Sequence, residues 1–358
     1  MGKLPLYANH IAHKELHRGL LFDKFFDYST LGKKPTEQDK KGFLEEFKNA
    51  ACGDAENIKS FATKQLNLIE SIGGTAMTYS TQWHFVTGMG IDHPLENGMA
   101  WHHTLGTPYI AGSGVKGMFR AYLWEWADVE KAKILRWCGY TKEEAKEYGL
   151  DGESAGELIF FDAIPTAPVT LTPDVMTPHM GDWYEKGGEN KHDAKNTPAD
   201  WHNPVPILFL AVKKATFLFG VASRAQTSKE ELQEAMKYLG EALEFVGAGA
   251  KTAAGYGRFA LDEKSKKELK ETEEAAKLAQ LSPLEQKLAK LSSNIPELVN
   301  TLEKGEFGDD TKEAALKIQQ IMKDKKGEWD EKGDPNKTKA AKRTQKVAAV
   351  LKKFTSVS

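Results

Sequence analysis

The apolar positions of the chain follow two spacings, and the change between them divides the sequence into three parts. Before Gly73 and Gly74, apolar residues recur in short stretches at three- and four-residue intervals, as at Phe43 and Phe47. This spacing is typical of amphipathic helices, because residues three and four apart lie on the same helix face. We therefore expect residues 1–74 to form a helical extension.

Residues 75–262 differ, since β-branched and aromatic runs alternate there with glycine-rich turns. The predicted elements are a strand at 75–86, a helix at 115–127, strands at 158–164, 206–212 and 216–221, a helix at 229–245 and a closing strand at 257–261. Apart from one additional strand between the two helices, the order is the β-α-β-β-α-β of a ferredoxin-like (RRM-like) fold, in which two helices back a sheet and leave its other face free for a ligand. The pattern predicts an α+β domain.

The third part, residues 263–358, is rich in Lys, Glu, Ala and Leu, and leucines recur at helical spacing between Leu281 and Leu302. We expect a helical C-terminal extension there. Its final stretch, 337–358, carries seven basic residues and no acidic one. A solvated helix end explains this composition, although such a tip also suits nonspecific contact with RNA.

Composition narrows the function. A chain of 358 residues with 40% apolar content can bury a substantial core, and its net charge of -2 argues against a uniformly basic clamp for nucleic acid. Any polyanion must be met by local clusters or backbone donors. Cys52 and Cys138 lie far apart, which indicates neither a disulfide framework nor a thiolate metal site and fits a cytoplasmic setting. No stretch approaches the roughly 20 apolar residues of a membrane span, so we expect no membrane partner.

The first segment with candidate chemistry precedes the helix predicted at 115–127. Gly112 and Gly114 permit close backbone approach, and Ser113 is expected to cap the helix, whose free N–H groups would form a seat for a phosphate. Lys116 and Arg120 lie four residues apart on one helix face and can hold the same anion. The alternative is that this stretch is only a turn feeding a core helix.

A second glycine-rich segment, 247–258, follows the helix predicted at 229–245. Its candidate RNA contacts are Gly249, Lys251, Thr252, Gly255, Tyr256, Gly257 and Arg258. Glycines leave the backbone accessible, while the basic, hydroxyl and aromatic side chains supply charge and a stacking plane. The combination favours a nucleic-acid backbone, and the alternative is a flexible connection.

These two segments, PYIAGSGVKGMFRAYL and GAGAKTAAGYGRF, resemble the two signature regions of the RAMP superfamily of CRISPR proteins, and they occur in the same order. Three further stretches, GMGIDHPLENGMAWHHTLGTPYIAGSGVKG, TPDVMTPHMGDWYE and WHNPVPILFLAV, are similar to the sixth-subunit family of type III-B (Cmr) systems. The resemblance covers about residues 75–260 and does not extend to the helical tail.

The resemblance implies a ferredoxin-like RAMP fold that packs beside other RAMP subunits, holds the 3′ part of a CRISPR RNA (crRNA) and helps to position target RNA. It also implies that an insertion at about 166–204 is a hairpin-like projection, the thumb of RAMP subunits. In related backbone subunits an Asp after the first strand cleaves target RNA through a metal ion. Asp92 instead lies in an Ile-Asp-His-Pro context that matches the sixth-subunit pattern, so we expect no catalytic residue, metal or cofactor.

Two alternatives assign chemistry to histidines. His102 and His103 have the residue type for acid-base cleavage of RNA, which would make the chain a metal-independent CRISPR RNA endoribonuclease. Neighbouring side chains in an extended segment point to opposite sides, so the simpler expectation is that one packs and the other meets solvent. A polar stretch offers metal ligands by type but not by spacing. These are His179, Asp182, His192, Asp193, Asp200 and His202.

A third alternative is a purely protein-binding scaffold whose glycine segments seat neighbouring subunits, and the near-neutral net charge favours it. The tryptophans do not decide between RNA and protein. We expect most of them to pack in the core, Trp124 and Trp126 to pack or meet a neighbouring subunit, and Trp183 and Trp201 to be exposed.

Overall fold

The computed structural model describes residues 17–26, 35–186, 202, 204–224, 227–265, 267, 278, 281–292, 294–325, 327–331 and 333–355. The chain divides into two compact units, Met1–Ser265 and Lys266–Ser358. None of the described helices is long and apolar enough to cross a membrane.

The first unit combines strands and helices, which confirms the predicted α+β class. Its strands are β1 (Ala51–Cys52), β2 (Thr75–Thr81), β3 (Trp101–His102), β4 (Thr107–Pro108), β5 (Leu158–Phe160), β6 (Ile164–Pro165), β7 (Val169–Met176), β8 (Ile207–Val212), β9 (Thr216–Ser223) and β10 (Phe259–Leu261). Its helices are α1 (Arg18–Phe25), α2 (Glu37–Glu45), α3 (Ala55–Ser71), α4 (Gly112–Glu125), α5 (Lys131–Cys138), α6 (Lys142–Tyr148), α7 (Gly181–Lys186) and α8 (Lys229–Phe245). The helix predicted at 229–245 is confirmed at both ends.

The larger sheet has the strand order β10-β2-β9-β5, and β6 also pairs with β9. All of these pairs are antiparallel. In chain order, α4 follows β2 and precedes β5, while α8 follows β9 and precedes β10. The sheet and these two helices therefore follow the predicted β-α-β-β-α-β order, which is consistent with a ferredoxin-like core.

One face of this sheet packs against α8. Alternate residues of β9, Phe217 and Phe219, point to that face and are fully buried. Phe259 of β10 packs edge-on against both rings, with centroid distances of 5.8 and 5.6 Å. Large rings from β9 and β10, which lie on either side of β2, thus fill the space beneath the helix.

The opposite face is covered by α3, so the prediction of a free sheet face is wrong. Leu218 of β9 and Ile164 of β6 pack in one apolar cluster with Ile58 of α3. At Gly220 an added Cβ would lie 2.3 Å from the Cδ1 atom of Ile69, so α3 approaches the strand closely. Ile58 and Ile69 give α3 the apolar face that covers the sheet, and burying this face removes apolar surface from water.

A second sheet has the order β1-β7-β8, with β7 and β8 antiparallel from Leu171 opposite Val212 to Met176 opposite Ile207. The strand predicted at 206–212 lies here and not in the larger sheet. The strand predicted at 75–86 ends at Thr81, because the chain then crosses between sheets and Phe85 pairs with Val212. The start of β7 is buried, so the β7–β8 hairpin has its base in the core. Part of the predicted projection, 187–201, lies outside the described residues.

The described part of the second unit is helical. Its helices are α9 (Pro283–Leu291), α10 (Ile295–Glu303), α11 (Thr311–Asp324) and α12 (Lys339–Thr355). They enclose a separate apolar core that includes Leu298, Ile318 and Val347. On α12, Arg343 pairs with Glu328 and Lys346 pairs with Glu303, so part of the basic stretch is neutralised within the unit.

Candidate nucleic-acid interface

The start of α4 contains the first predicted RNA segment. The helix begins at Gly112 with Ala111 as its N-cap residue, and the N-cap side chain makes no capping hydrogen bond there. The prediction that Ser113 caps this helix is therefore wrong, because Ser113 already lies in the first turn. The N–H of Gly112 donates instead to Oδ1 of Asp162 at 2.6 Å, and this carboxylate occupies part of the predicted phosphate seat.

The two glycines of this segment have different surroundings. A Cβ added at Gly112 would lie 2.2 Å from the carbonyl oxygen of Phe160, whereas one at Gly114 would find Ile110 Cγ2 at 3.6 Å as its nearest neighbour. Gly112 thus allows the helix to lie against the end of β5. Gly114 has no comparable packing role.

Lys116 and Arg120 lie on one side of α4, as predicted, and both bond to protein groups. Nζ of Lys116 donates to the carbonyl oxygen of Ala155 at 3.0 Å. Arg120 donates to the carbonyl oxygen of Gly139 at 3.3 Å and forms an ion pair with Glu144. The backbone amide of Thr141, with Arg120 as a further cause, holds the pKa of Glu144 below its ordinary value. Among the described contacts, Arg120 has a carboxylate partner and Lys116 has none.

The second segment, 247–258, owes its glycines to backbone conformation. Gly247, Gly249, Gly255 and Gly257 all have positive φ, and so does Lys251 at +58°. A Cβ at Gly257 would lie 1.9 Å from the carbonyl oxygen of Ala248, while nothing lies within 4 Å of one at Gly255. This loop is therefore folded against itself, and the alternative of a flexible connection does not describe it.

The loop is tied to the chain that leaves β2. The N–H of Gly257 donates to the carbonyl oxygen of His84 at 2.8 Å, and the N–H of Ala250 donates to that of Val86 at 2.7 Å. The hydroxyl of Tyr256 donates to Oδ2 of Asp174 in β7 at 2.7 Å. These bonds join the loop, the crossing segment 82–86 and the base of the hairpin into one structure.

The two cations of this loop, Lys251 and Arg258, contact uncharged groups. Nζ of Lys251 lies 3.5 Å from the sulfur of Met176 and 5.7 Å from the centre of the Phe209 ring. Arg258 donates to the carbonyl oxygen of Glu244 at 3.1 Å. Thr252 begins a short 3-10 turn and lines an open cleft beside α4 and α8. Among the described contacts, neither Lys251 nor Arg258 pairs with a carboxylate.

The two predicted segments occupy different places. The first lies against β5, β6 and residues 139–155, and the second lies against residues 82–86 and the hairpin. No hydrogen bond, ion pair or ring contact among the described residues joins one segment to the other. Whatever binds both would have to span the space between them.

Comparison with known proteins assigns the family. The model of the RAMP superfamily matches residues 72–260, which is more than half of the chain and includes both glycine segments. The chain belongs to the RAMP superfamily. The resemblance expected from the two segments is thereby confirmed.

Two curated RAMP relatives are Cmr6 proteins. The CRISPR system Cmr subunit Cmr6 of Pyrococcus furiosus is 31% identical over 247 residues, covering 55% of this chain and 69% of that protein. Cmr6 of Saccharolobus solfataricus is 23% identical over 218 residues, covering 59% of this chain and 66% of that protein. The sequence similarity thus extends to the Cmr6 group within the superfamily.

Solved structures give weaker overall agreement. A chain in the cryo-EM structure of the type III-B Cmr-beta bound to cognate target RNA is 22% identical with a TM-score of 0.45, covering 64% of this chain and 76% of that one. The crystal structure of Cmr6 from Pyrococcus furiosus is 27% identical with a TM-score of 0.31, covering 53% and 98%. The assignment to the RAMP superfamily rests on the sequence matches.

In this RAMP chain the two candidate catalytic histidines are in different surroundings. His102 packs edge-on against the rings of Phe61 and Tyr109, with centroid distances of 4.9 and 5.5 Å, and its Nδ1 accepts the N–H of Leu105. Burial lowers its pKa, so the ring is neutral at neutral pH. His103 is exposed. One histidine packs and the other, in the turn after β3, meets solvent, as the simpler expectation had it.

The predicted metal ligands can be placed only in part. His192, Asp193 and Asp200 lie outside the described residues. Within the described part of the chain, no three His, Cys, Asp or Glu side chains come together to hold a metal ion.

The tryptophans show what the sequence pattern missed. Trp101 and Trp137 are buried, while Trp126 is 64% exposed, and Trp201 lies outside the described residues. Trp83 was not singled out by the sequence; it is 47% exposed and lies beside the second glycine loop. The available signal was its position at the end of a predicted strand, where the chain leaves the sheet.

Proposed function

We propose that this chain is a non-catalytic, RNA-binding structural subunit of a type III-B CRISPR (Cmr) effector complex. In this role it holds the 3′ part of the crRNA, helps to position target RNA and packs beside other RAMP subunits. The observation that carries the proposal is the 31% identity to Cmr6 over 69% of that protein. The RAMP match over residues 72–260 supports it.

The charges of the two segments support contact with phosphate. Lys116 bonds to a carbonyl oxygen, Lys251 lies on a thioether and a ring, and Arg258 bonds to a carbonyl oxygen. None of these partners is charged, so all three side chains keep a positive charge for an RNA backbone. Arg120 contributes less, because Glu144 offsets its charge.

The direct test is RNA binding by the full chain as a function of salt. We expect the affinity for single-stranded RNA to fall steeply with added salt, because each phosphate contact releases counterions. Replacing Lys116, Arg120, Lys251 and Arg258 together by Ala should weaken binding and flatten the salt dependence.

Pairing with other Cmr subunits is the control, since it should survive the fourfold substitution. Capture of the tagged chain from its own host, with identification of the bound protein and RNA, tests the partners directly. Recovery of Cmr subunits without RNA, combined with no salt-dependent RNA binding by the chain, would contradict the RNA-binding role.

The non-catalytic role has its own experiment. Asp92 is exposed in the loop after β2, and we expect Asp92→Ala to leave target cleavage by the assembled complex unchanged. Incubation of the purified chain with precursor crRNA should give no cleavage. Loss of target cleavage by Asp92→Ala with assembly intact would show that this subunit takes part in catalysis.

A purely protein-binding scaffold is the second candidate, and an exposed cleft favours it. The cleft measures about 720 Å³ and is lined by Trp126 and Phe245, whose rings lie 5.0 Å apart, together with two carboxylates, Glu241 and Glu244, and one cation, Arg258. Carboxylates at an exposed aromatic surface suit a neighbouring protein better than a phosphate backbone. If Trp126→Ala disrupts subunit pairing and the four cation substitutions have no effect on RNA, the scaffold is the better description.

A further inference from the structure

Tyr256 was predicted to supply a plane for base stacking, but the structure gives that ring another role. Tyr256 is only 7% exposed, and its hydroxyl is held by Asp174. Burial, with the hydrogen bond to Asp174 as a second cause, raises its pKa above the ordinary value, so the phenol stays neutral. The ring of Trp83 lies over it at 4.7 Å with an angle of 45°. A base cannot reach Tyr256 without displacing Trp83.

Trp83 itself offers an open aromatic face. One side of its indole lies flat on the imidazole of His84, with centroids 4.8 Å apart and an angle of 11° between the planes. The rings of His84 and Tyr256 lie 6.3 Å apart, too close to cover opposite faces of the indole, and 47% of Trp83 is exposed, so its other face is open to solvent. Tryptophan is enriched at contact surfaces, because its ring offers a large apolar face and a polar edge.

The support under this ring is built from several elements. The carbonyl oxygen of His84 accepts the N–H of Gly257, and the N–H of Gln82 donates to the carbonyl oxygen of Arg258, each at 2.8 Å. The chain on both sides of Trp83 is therefore bonded to the glycine loop. Beneath it, Nδ1 of His84 lies 3.5 Å from the Asp174 carboxylate, which also holds Tyr256. The indole is thus held in place before any ligand binds, which lowers the entropic cost of binding.

The charges nearby identify the ligand. Lys251 lies in the same loop as Tyr256 and contacts a thioether and an aromatic ring. The carboxylate of Asp174 lies beside His84 and Tyr256 and would repel a phosphate placed there. An exposed indole face, bonded through its neighbours to the loop that carries Lys251, fits a nucleotide that stacks its base and directs its phosphate toward the lysine.

We propose that the exposed face of Trp83, supported by His84 and Tyr256, stacks one unpaired base of a bound RNA strand. The ligand is an unpaired base because the faces of bases inside a duplex are already covered by their neighbours. This inference rests on the proposed RNA-binding function and names a contact point within it.

The first test measures affinity for single-stranded RNA with the full chain and three variants. Trp83→Ala should weaken binding about 5- to 100-fold, the range expected when one base stack is removed, while Trp83→Phe should restore most of the affinity. The salt dependence should not change, since no phosphate contact is removed. Leu68→Ala is the matched control, because Leu68 on α3 is also a large apolar side chain that is about half exposed, and it should bind like the parent chain.

The second test locates the contact without substitution. Ultraviolet cross-linking of the complex captured from its own host, followed by mass spectrometry, should give a nucleotide adduct on Trp83. RNA in the capture with adducts only elsewhere, and Trp83→Ala that folds and binds like the parent, would overturn the stacking site and leave the RNA-binding function intact. Capture without any RNA, and no RNA binding by the chain, would overturn both.

Discussion

The two glycine segments look alike in sequence but serve the structure differently. Both combine paired glycines with two cations. In the segment at 112–120, one glycine permits close packing of a helix on a strand, and one cation is neutralised by a carboxylate. In the segment at 247–258, every glycine has positive φ, and both cations keep their charge beside an exposed tryptophan. We therefore propose that the second segment contributes more to RNA binding than the first.

The difference shows that a glycine-rich motif combines two separable requirements. One is space, where a Cβ would meet the backbone of another element. The other is conformation, where φ lies in the region that L-residues rarely adopt. Single substitutions can separate them, because the chain offers glycines that have one requirement, both or neither.

The largest expected effect is at Gly257, which has both requirements. Its φ is +65°, and an added Cβ would lie 1.9 Å from the carbonyl oxygen of Ala248. We expect Gly257→Ala to lower the free energy of unfolding by about 2–5 kcal/mol, from backbone strain together with the forced movement of packed groups. Chemical denaturation of the full chain measures this loss.

Gly255 is the matched control, since its φ is +93° but nothing lies within 4 Å of an added Cβ. Gly255→Ala should cost only about 1–2 kcal/mol, the strain of the left-handed conformation alone. Equal losses at the two positions would mean that the close approach at Gly257 has no energetic weight.

The next effect contrasts two glycines of the first segment. Gly112→Ala should destabilise the chain by about 1–3 kcal/mol, because its Cβ would meet the carbonyl oxygen of Phe160 at 2.2 Å. Gly114→Ala should stabilise it by about 0.5–1 kcal/mol, since alanine favours a helix and the nearest atom is at 3.6 Å. Thermal unfolding of the two variants gives opposite signs if this assignment is right and the same sign if it is not.

The sequence predicted the α+β class, the order of elements around the larger sheet, and the first and last residues of the helix at 229–245. These features follow from local periodicity. It did not predict that α3 covers the second face of the sheet, since that contact joins distant parts of the chain. It also missed the crossing at 82–86 between two sheets. Residue type alone cannot show that Phe85 pairs with Val212 of the second sheet.

The candidate site shows the same limit. Glycines and cations were recognised by type, but their partners are far away in sequence. Asp162 replaces Ser113 at the helix start, and Glu144 holds Arg120. We propose Trp83 and not Tyr256 as the stacking ring, because Tyr256 is buried and its hydroxyl bonds to Asp174 of β7. Such exchanges depend on tertiary contacts, which periodicity does not encode.

Testing the four cation substitutions as two pairs, one from each segment, compares the contributions of the two segments to RNA binding. We expect Lys251→Ala with Arg258→Ala to weaken RNA binding about 10-fold and to reduce the salt slope by about 0.7 for each phosphate that is no longer neutralised. Lys116→Ala with Arg120→Ala should have the smaller effect, because Glu144 already offsets one of these charges. A larger effect from the substitutions at Lys116 and Arg120 would place the main RNA interaction at α4.

The smallest expected effect is the contribution of the Glu144–Arg120 ion pair to the free energy of unfolding. The pKa of Glu144 is lowered from 4.5 by the Thr141 backbone amide and by Arg120. The carboxylate therefore stabilises the fold above about that pH, and the contribution is lost as pH falls through the lowered pKa. Glu144→Gln should cost about 0.2–1 kcal/mol near neutral pH, and the difference from the parent should shrink below pH 4.5. If instead Glu144→Gln makes the contribution of Lys116 and Arg120 to RNA affinity as large as that of Lys251 and Arg258, the ion pair with Glu144 explains the whole difference between the two segments.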